Sequence, residues 1–236
     1  MNIAVILAGG SGNRFGGELP KQFLTIEGKT ILEHTIDAFE KNRRIDEIAV
    51  VSKEYFIPDV ERMVQDNHYR KVKKILAGGK ERYHSSLAAI EAYPDDSLNL
   101  IFHDAVRPLL TDRIINDCID ALQRYNAVDV AIPATDTIIQ VDPRDRTIES
   151  IPDRSRLMNG QTPQCFKRGV IRKAYDIALK DPNFKTTDDC GVVRRYLGSE
   201  KVYVVSGEPS NMKLTHTDDL TVMELYFKQC AKNTDR

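Results

Sequence analysis

The residues Ile3-Ala4-Val5-Ile6-Leu7 form an unbroken apolar run, and the chain passes from them straight into Ala8-Gly9-Gly10-Ser11-Gly12. A run this short and this rich in β-branched residues predicts a strand covered on both faces, as in a parallel sheet between layers of helix. The glycines predict a loop whose backbone N–H groups can approach a ligand with no Cβ in the way. With no basic segment ahead of it, and far too short to cross a membrane, the run reads as a strand and not as a leader or an anchor.

Alternation of this kind continues along the chain. Apolar residues recur at helical spacing over 30–41, with Thr30 as an N-cap, and helices are also expected over 58–68, 85–92, 111–125, 168–179 and 217–230. Short strands are expected over 45–51, 72–76, 98–103, 128–133 and 202–206. The pattern predicts an α/β fold: a Rossmann-like, doubly wound and mostly parallel sheet, with ligand loops at the carboxyl ends of its strands. One segment departs from it. Residues 137–156 read as a β-hairpin turning at Asp142-Pro143-Arg144-Asp145. A projecting hairpin has edges that need cover, so 138–156 is expected to be a dimerisation arm. No repeat or linker divides the chain, which predicts a single domain over 1–236, and the arm would pair two copies as a homodimer.

Composition narrows the function. A formal net charge of -1 over 236 residues disfavours nucleic acid as a partner. No apolar stretch is long enough to span a bilayer, so no membrane association is expected. Cys118, Cys165, Cys190 and Cys230 lie far apart with no CxxC pair, which argues against zinc or a disulfide framework and for a reducing, cytoplasmic setting.

The glycine loop carries the chemistry. It lacks the Gly-Lys-Ser/Thr ending of a kinase-type phosphate loop. The spacing of Gly10, Gly12 and Gly16 is wrong for a dinucleotide fingerprint, and Ser52-Lys53 stands where a ribose-binding acid would be needed. Arg14 and Lys21 supply cations that a purely structural turn would not require. A nucleoside triphosphate held by backbone amides, with Arg14 and Lys21 on its phosphates, is the reading these residues support.

Leu7-Ala8-Gly9-Gly10-x-Gly12-x-Arg14 followed by Pro20-Lys21-Gln22 resembles the cytidylyltransferases that activate polyol phosphates, of the ribitol 5-phosphate and methylerythritol phosphate branches. The likeness runs end to end. It continues at 78–82 (Gly-Gly-Lys-Glu-Arg) with Ser85-Ser86, at 103–108 (His-Asp-Ala-Val-Arg-Pro), at Asp136-Thr137 and at Arg154. It extends through 160–164 (Gly-Gln-Thr-Pro-Gln), Thr187-Asp188-Asp189 and 211–215 (Asn-Met-Lys-Leu-Thr). The resemblance implies a nucleotide-diphospho-sugar transferase type of fold and a reaction of CTP with a polyol phosphate.

It also implies roles. Arg14, Lys21 and Lys213 would serve the α-phosphate, where two anions must meet and cations must offset their repulsion. Leu7, Ala8, Gly9, Gly10, Gly12, Gly79, Arg82 and Ser85 would bind the nucleotide, with Ser86 the alternative to Ser85. Arg107, Thr137, Arg154, Thr162 and Asp188 would bind the acceptor, Arg154 in the neighbouring subunit's site and Arg156 its alternative. Asp188 could equally serve as a helix N-terminal acid. Asp104 closes an apolar strand, and one carboxylate sharing an ion with substrate phosphates is the usual Mg2+ arrangement, so Asp104 is assigned to Mg2+; the competing role is to cap the next turn. His103 is expected to pack nearby, not to ligate. Gly160 before Gln161, the His-Asp-Ala-Val-Arg-Pro form and Asp189-Cys190-Gly191 look more like the ribitol branch, with methylerythritol phosphate the alternative acceptor. A sugar-phosphate uridylyl- or guanylyltransferase would differ at Gln161-Thr162-Pro163-Gln164. A non-catalytic nucleotide-binding module could dispense with Lys21, Asp104 or Lys213, and all three are present.

Overall fold

The computed structural model describes residues 1–10 and 20–234, with side chains as far as residue 229. In chain order its elements begin with β1 (Asn2–Ala8), the two-residue strands β2 (Thr25–Ile26) and β3 (Lys29–Thr30), α1 (Ile31–Lys41), β4 (Glu47–Ser52), α2 (Ile57–Asp66) and β5 (Val72–Ala77). The chain continues through α3 (Arg82–Ala92), β6 (Asn99–Asp104), α4 (Asp112–Ala121), β7 (Ala127–Pro133), β8 (Gln140–Val141), β9 (Ile148–Ser150) and β10 (Met158–Gly160). The last elements are β11 (Gln164–Lys167), α5 (Arg168–Ala178), α6 (Asp189–Tyr196), β12 (Val202–Ser206) and α7 (Asp218–Thr234).

The main sheet runs β5-β4-β1-β6-β11-β7, with β10 sharing β11's edge of β7 and β12 on the other. Strands β1, β4, β5 and β6 are mutually parallel, as the apolar runs predict, and β12 is parallel to β7. Between β6 and β7, β11 inserts antiparallel to both. Alternate residues of each strand feed two apolar layers. Ala4, Ile6, Ile48 and Val50 pack against α1, α2 and α4 through Leu32, Ile36, Phe39, Val60, Ile114 and Cys118. Ile3, Val5, Ala49 and Val51 pack against α3, α5 and α6 through Ile90, Ile171, Tyr175 and Val193. Burying both faces accounts for the continuous hydrophobicity of β1.

Thr30 caps α1 as expected, its side chain accepting from the Glu33 N–H while the Glu33 carboxylate accepts from the Thr30 N–H. Besides the short strands β2, β3 and β10, two elements of the body were not foreseen from periodicity, β11 and α6. Each is short and begins on polar residues, and both lie beside the site.

The hairpin expected over 137–156 is present as β8–β9 and is exposed along its length. Among the described residues no helix is long and apolar enough to cross a membrane.

Candidate active site

Parallel register brings separated motifs to one edge. Leu7 pairs with Asp104 on one side and with Val51 on the other, and Ser52 pairs with Ala77. The carboxyl ends of β1, β4, β5 and β6 therefore lie together, the position where ligands bind in open α/β sheets. Gln22 fastens the start of the glycine loop, its amide donating to the Ala8 carbonyl at 2.7 Å and to that of Gly10 at 3.4 Å. Gly9 and Gly78 are glycines for a steric reason: a Cβ on Gly78 would stand 2.5 Å from the Ser85 Oγ, and one on Gly9 would stand 3.0 Å from it. Of the two adjacent serines, Ser85 is thus the one set against both glycine loops.

Asp104, at the end of β6, is the electrostatic centre. Its carboxylate accepts from Lys213 Nζ at 2.8 Å and has Arg82 Nε at 3.6 Å and Arg107 Nε at 3.7 Å. Burial opposes its ionisation, but the charges of Lys213 and Arg82 outweigh burial and hold the carboxyl well below the usual carboxylate range. Asp104 has only 11% of its side chain exposed while Lys213 keeps 42%, so the lysine is the member of the pair that a ligand can reach.

Behind the carboxylate, residues 161–164 and 211–214 form a bracket. The Asp104 N–H donates to Thr162 Oγ1 at 3.2 Å, and that hydroxyl lies 2.8 Å from His103 Nδ1. His103 Nε2 in turn lies 3.0 Å from the Arg107 carbonyl. The Arg107 carbonyl can only accept, so Nε2 carries a hydrogen, and in a neutral ring Nδ1 then accepts from the Thr162 hydroxyl. Burial favours the neutral ring, pushing His103 down to about 4. The side-chain amide of Asn211, fully buried, donates to Gln161 Oε1 at 3.2 Å and to the Thr162 carbonyl at 2.8 Å, and the Asn211 backbone carbonyl accepts from Arg107 Nη1 at 2.7 Å. The Leu214 N–H donates to the Val106 carbonyl at 2.9 Å. These bonds dock the 211–214 segment and carry Lys213 onto Asp104. On the other side of that segment Lys21 donates to the carbonyls of Leu214 and Thr215.

Residues 2–229 match the family model described as IspD: 2-C-methyl-D-erythritol 4-phosphate cytidylyltransferase. The chain belongs to this cytidylyltransferase family. Over 229 residues it is 48% identical to the bifunctional ribulose 5-phosphate reductase/CDP-ribitol pyrophosphorylase Bcs1 of Haemophilus influenzae, covering 96% of this chain and 48% of that protein. Over 231 residues it is 46% identical to the 2-C-methyl-D-erythritol 4-phosphate cytidylyltransferase of Thermobifida fusca, covering 95% of this chain and 92% of that one. It spans about half the length of the first and nearly all of the second. The solved structure of 4-diphosphocytidyl-2C-methyl-D-erythritol synthase from Anaerococcus prevotii matches with a TM-score of 0.84 at 30% identity, over 96% of this chain and 98% of that one. The expected α/β fold and cytidylyltransferase class are thereby shown.

Within this cytidylyltransferase the expected site residues divide into groups. Leu7, Ala8, Gly9, Gly79, Arg82, Ser85, Asp104 and Lys213 lie along the strand ends, and Gly10 follows them. Arg14 and Gly12 lie outside the described residues. Thr162 is buried, its hydroxyl within hydrogen-bond distance of the Asp104 N–H and His103 Nδ1. Asp188 is likewise occupied. One oxygen caps α6 by accepting from the Gly191 N–H at 3.0 Å, and the other accepts from Gln164 at 2.9 Å. The helix-cap alternative is therefore the geometry found. Arg107 is buried and engaged by Asn211 and Asp104. Thr137 and Arg154 are exposed at the base of the arm, where Arg154 donates to the Thr135 carbonyl at 2.9 Å. Among the described residues, no hydrogen bond or ion pair joins either of them to the Asp104 cluster.

Residues without an expected role complete the site. Gln164 donates to both Asp188 and Asp129, at 2.9 and 3.2 Å, and accepts from the Asp189 N–H at 3.0 Å. Gln22 and Asn211 stood within quoted motifs, but nothing in a linear pattern tells a clamp from a ligand contact.

Proposed function

We propose that the chain transfers CMP from CTP to D-ribitol 5-phosphate, giving CDP-ribitol and pyrophosphate. The carrying observation is the convergence of Lys213, Arg82 and Arg107 on one buried carboxylate beside two glycine loops. A phosphate oxygen of the acceptor attacks the α-phosphorus of CTP, a P–O bond forms there, and the bond to the bridging oxygen breaks as pyrophosphate leaves. Both reactants are anions, and in such transfers the protein contributes mainly positioning and charge. Lys213, Lys21 and Arg14 would stabilise the α-phosphate and the leaving group. Backbone groups of 7–10, Gly12 and Gly79, with Ser85 and Arg82, would hold the nucleotide.

Mg2+ fits this donor set. Among the described residues no three acids or histidines gather to hold a free ion, and a single strand-end carboxylate, Asp104, suits an ion that arrives on nucleotide phosphates. Such an ion would neutralise phosphate charge.

The acceptor would be met by Arg107, Thr137 and Arg154, the last two on the 138–156 arm and its base and supplied by the second subunit of a homodimer. Thr162 and Asp188 would shape that pocket from behind. Three buried, free thiols, Cys118, Cys165 and Cys190, accord with a cytoplasmic enzyme. The Haemophilus relative's name and the residues of the ribitol branch support ribitol; the family description and the Thermobifida relative favour methylerythritol phosphate as the second reading. Pyrophosphate release with CTP, Mg2+ and each polyol phosphate in turn tests both. Release should be faster with ribitol 5-phosphate; an equal or greater rate with methylerythritol phosphate would reverse the acceptor, and none with either would leave a binding module.

A further inference from the structure

We infer that Asp189 is a positioning residue for Arg82: a fully buried carboxylate, fixed by Tyr175 and Gln164, that holds the guanidinium at the strand ends independently of Asp104. This rests on the proposal that Arg82 contacts the nucleotide.

Asp189 has no exposed surface, and each of its carboxylate oxygens is spoken for. One accepts from Arg82 Nη1 at 2.5 Å and the other from the buried Tyr175 hydroxyl at 2.6 Å. Its backbone N–H is tied to Gln164 Oε1 at 3.0 Å. Burying a carboxylate is costly unless it is paired and fully hydrogen-bonded, and here both conditions are met. Burial and the Asp189 charge together raise the Tyr175 hydroxyl well above its ordinary pKa, so it remains a donor.

Local structure does not place Arg82 where it is. It is the first residue of α3, at the helix end whose dipole disfavours a cation. Asp189, by contrast, opens α6, at an end that favours an acid. The two helix starts thus present an acid and a base to each other across the edge of the sheet. In front of Arg82 stands Asp104 at 3.6 Å, already shared with Lys213 and Arg107. If Asp104 alone held it, Arg82 would lose its partner whenever that carboxylate turned to the incoming nucleotide, and with 26% of its side chain exposed it could swing to solvent. Asp189 removes that dependence.

The test is a double-mutant cycle read by calorimetric titration of the full chain with CTP and Mg2+. Asp189→Asn should weaken CTP binding about 10- to 100-fold, as loss of a residue that orients a ligand-binding group typically does. Arg82→Ala should weaken it at least as much, and the double variant should be no worse than Arg82→Ala. Asp189→Glu should recover part of the loss. Tyr175→Phe should give a smaller loss that also vanishes in the Arg82→Ala background, and it serves if Asp189→Asn does not fold. Losses that add in the double variants, or CTP affinity within about twofold of wild type in Asp189→Asn, would overturn the role. Titration reads binding directly, so a chain that binds CTP but releases no pyrophosphate would sink the transfer reaction while the cycle still judges Asp189; failure of the wild type to bind CTP would overturn both.

Discussion

The strand-end site and the arm are built on opposite principles. At the site, polar side chains are joined to partners far away in the chain: Lys213 reaches Asp104, Arg82 reaches Asp189, and Asn211 reaches Gln161 and Thr162. In the arm, polar groups bond to near neighbours, Arg144 to Asp142, Thr147 to Asp145 and Gln140 to Glu149. Its apolar residues Ile138, Ile139, Val141, Ile148 and Ile151 keep between 41% and 60% of their surface exposed. Among the described residues the polar groups of the site are tied down by long-range bonds, whereas the arm leaves an apolar face that we propose a second copy covers.

If the site depends on its charge cluster, removing one member should have the largest consequence. Lys213→Ala, or Asp104→Asn, should lower pyrophosphate release about 10²- to 10³-fold with the far-UV circular dichroism unchanged. Magnesium-dependent turnover that survives Asp104→Asn would remove that residue from the reaction.

The arm should respond differently. Ile148→Asp places a charge on the patch that we propose a second copy covers, and should weaken self-association about 100-fold, near 3 kcal/mol. Size exclusion with light scattering measures this, and the wild type should run as a dimer at micromolar concentration. If Arg154 and Thr137 serve the partner's site, activity should fall about tenfold in the same variant and recover at high protein concentration. A wild-type monomer would end the comparison as drawn.

Much of the body was legible in the sequence because burial on both faces leaves a strong mark: the runs at β1, β4, β6 and β7 and the helices between them fall where their periodicity predicts. The hairpin was legible from its turn residues. By contrast, β11 is four residues long and starts on Gln164, and its place in the sheet comes from pairing with β6 and β7 on either side. α6 has eight residues, begins Asp-Cys-Gly and carries a weak helix former at Gly191, so its start is set by the Asp188 cap. The same limit applied to side chains. A threonine in Gln-Thr-Pro-Gln reads alike whether its hydroxyl faces a ligand or a histidine, and Thr162 turned inward because the buried neutral ring of His103 needs a donor there.

A third contrast sets one glutamine against another. Gln164→Leu removes the donor shared by Asp129 and Asp188 and the acceptor for the Asp189 N–H, and should destabilise the fold by about 1–3 kcal/mol in urea denaturation. Gln140→Leu removes an exposed hydrogen bond to Glu149 in the arm and should stay within about 0.5 kcal/mol. Equal losses would mean that the arm's local bonds matter as much as the bracket's long-range ones.

The smallest effect isolates the acid pair that Gln164 bridges. Burial raises Asp129 to about 6, with the neighbouring Asp188 charge acting in the same direction against the hydrogen bonds from Gln164 and Val130. A carboxyl raised in the folded state binds its proton more tightly there than in the unfolded chain. Its contribution is therefore fully present below the unfolded pKa, near 4, and is lost as pH rises through about 6. Asp129→Asn keeps an oxygen to accept from Gln164 and Val130 but cannot ionise. Relative to wild type, the variant should gain stability between pH 4 and 6 and hold that gain at neutral pH, on the order of 1–2 kcal/mol after screening at this partly exposed position. Paired denaturation curves at pH 4, 5, 6 and 7 measure the difference. A difference that stays flat across that range would place Asp129 in water and detach it from the bracket, whereas a rising one would tie the acid pair to the interior that the arm lacks.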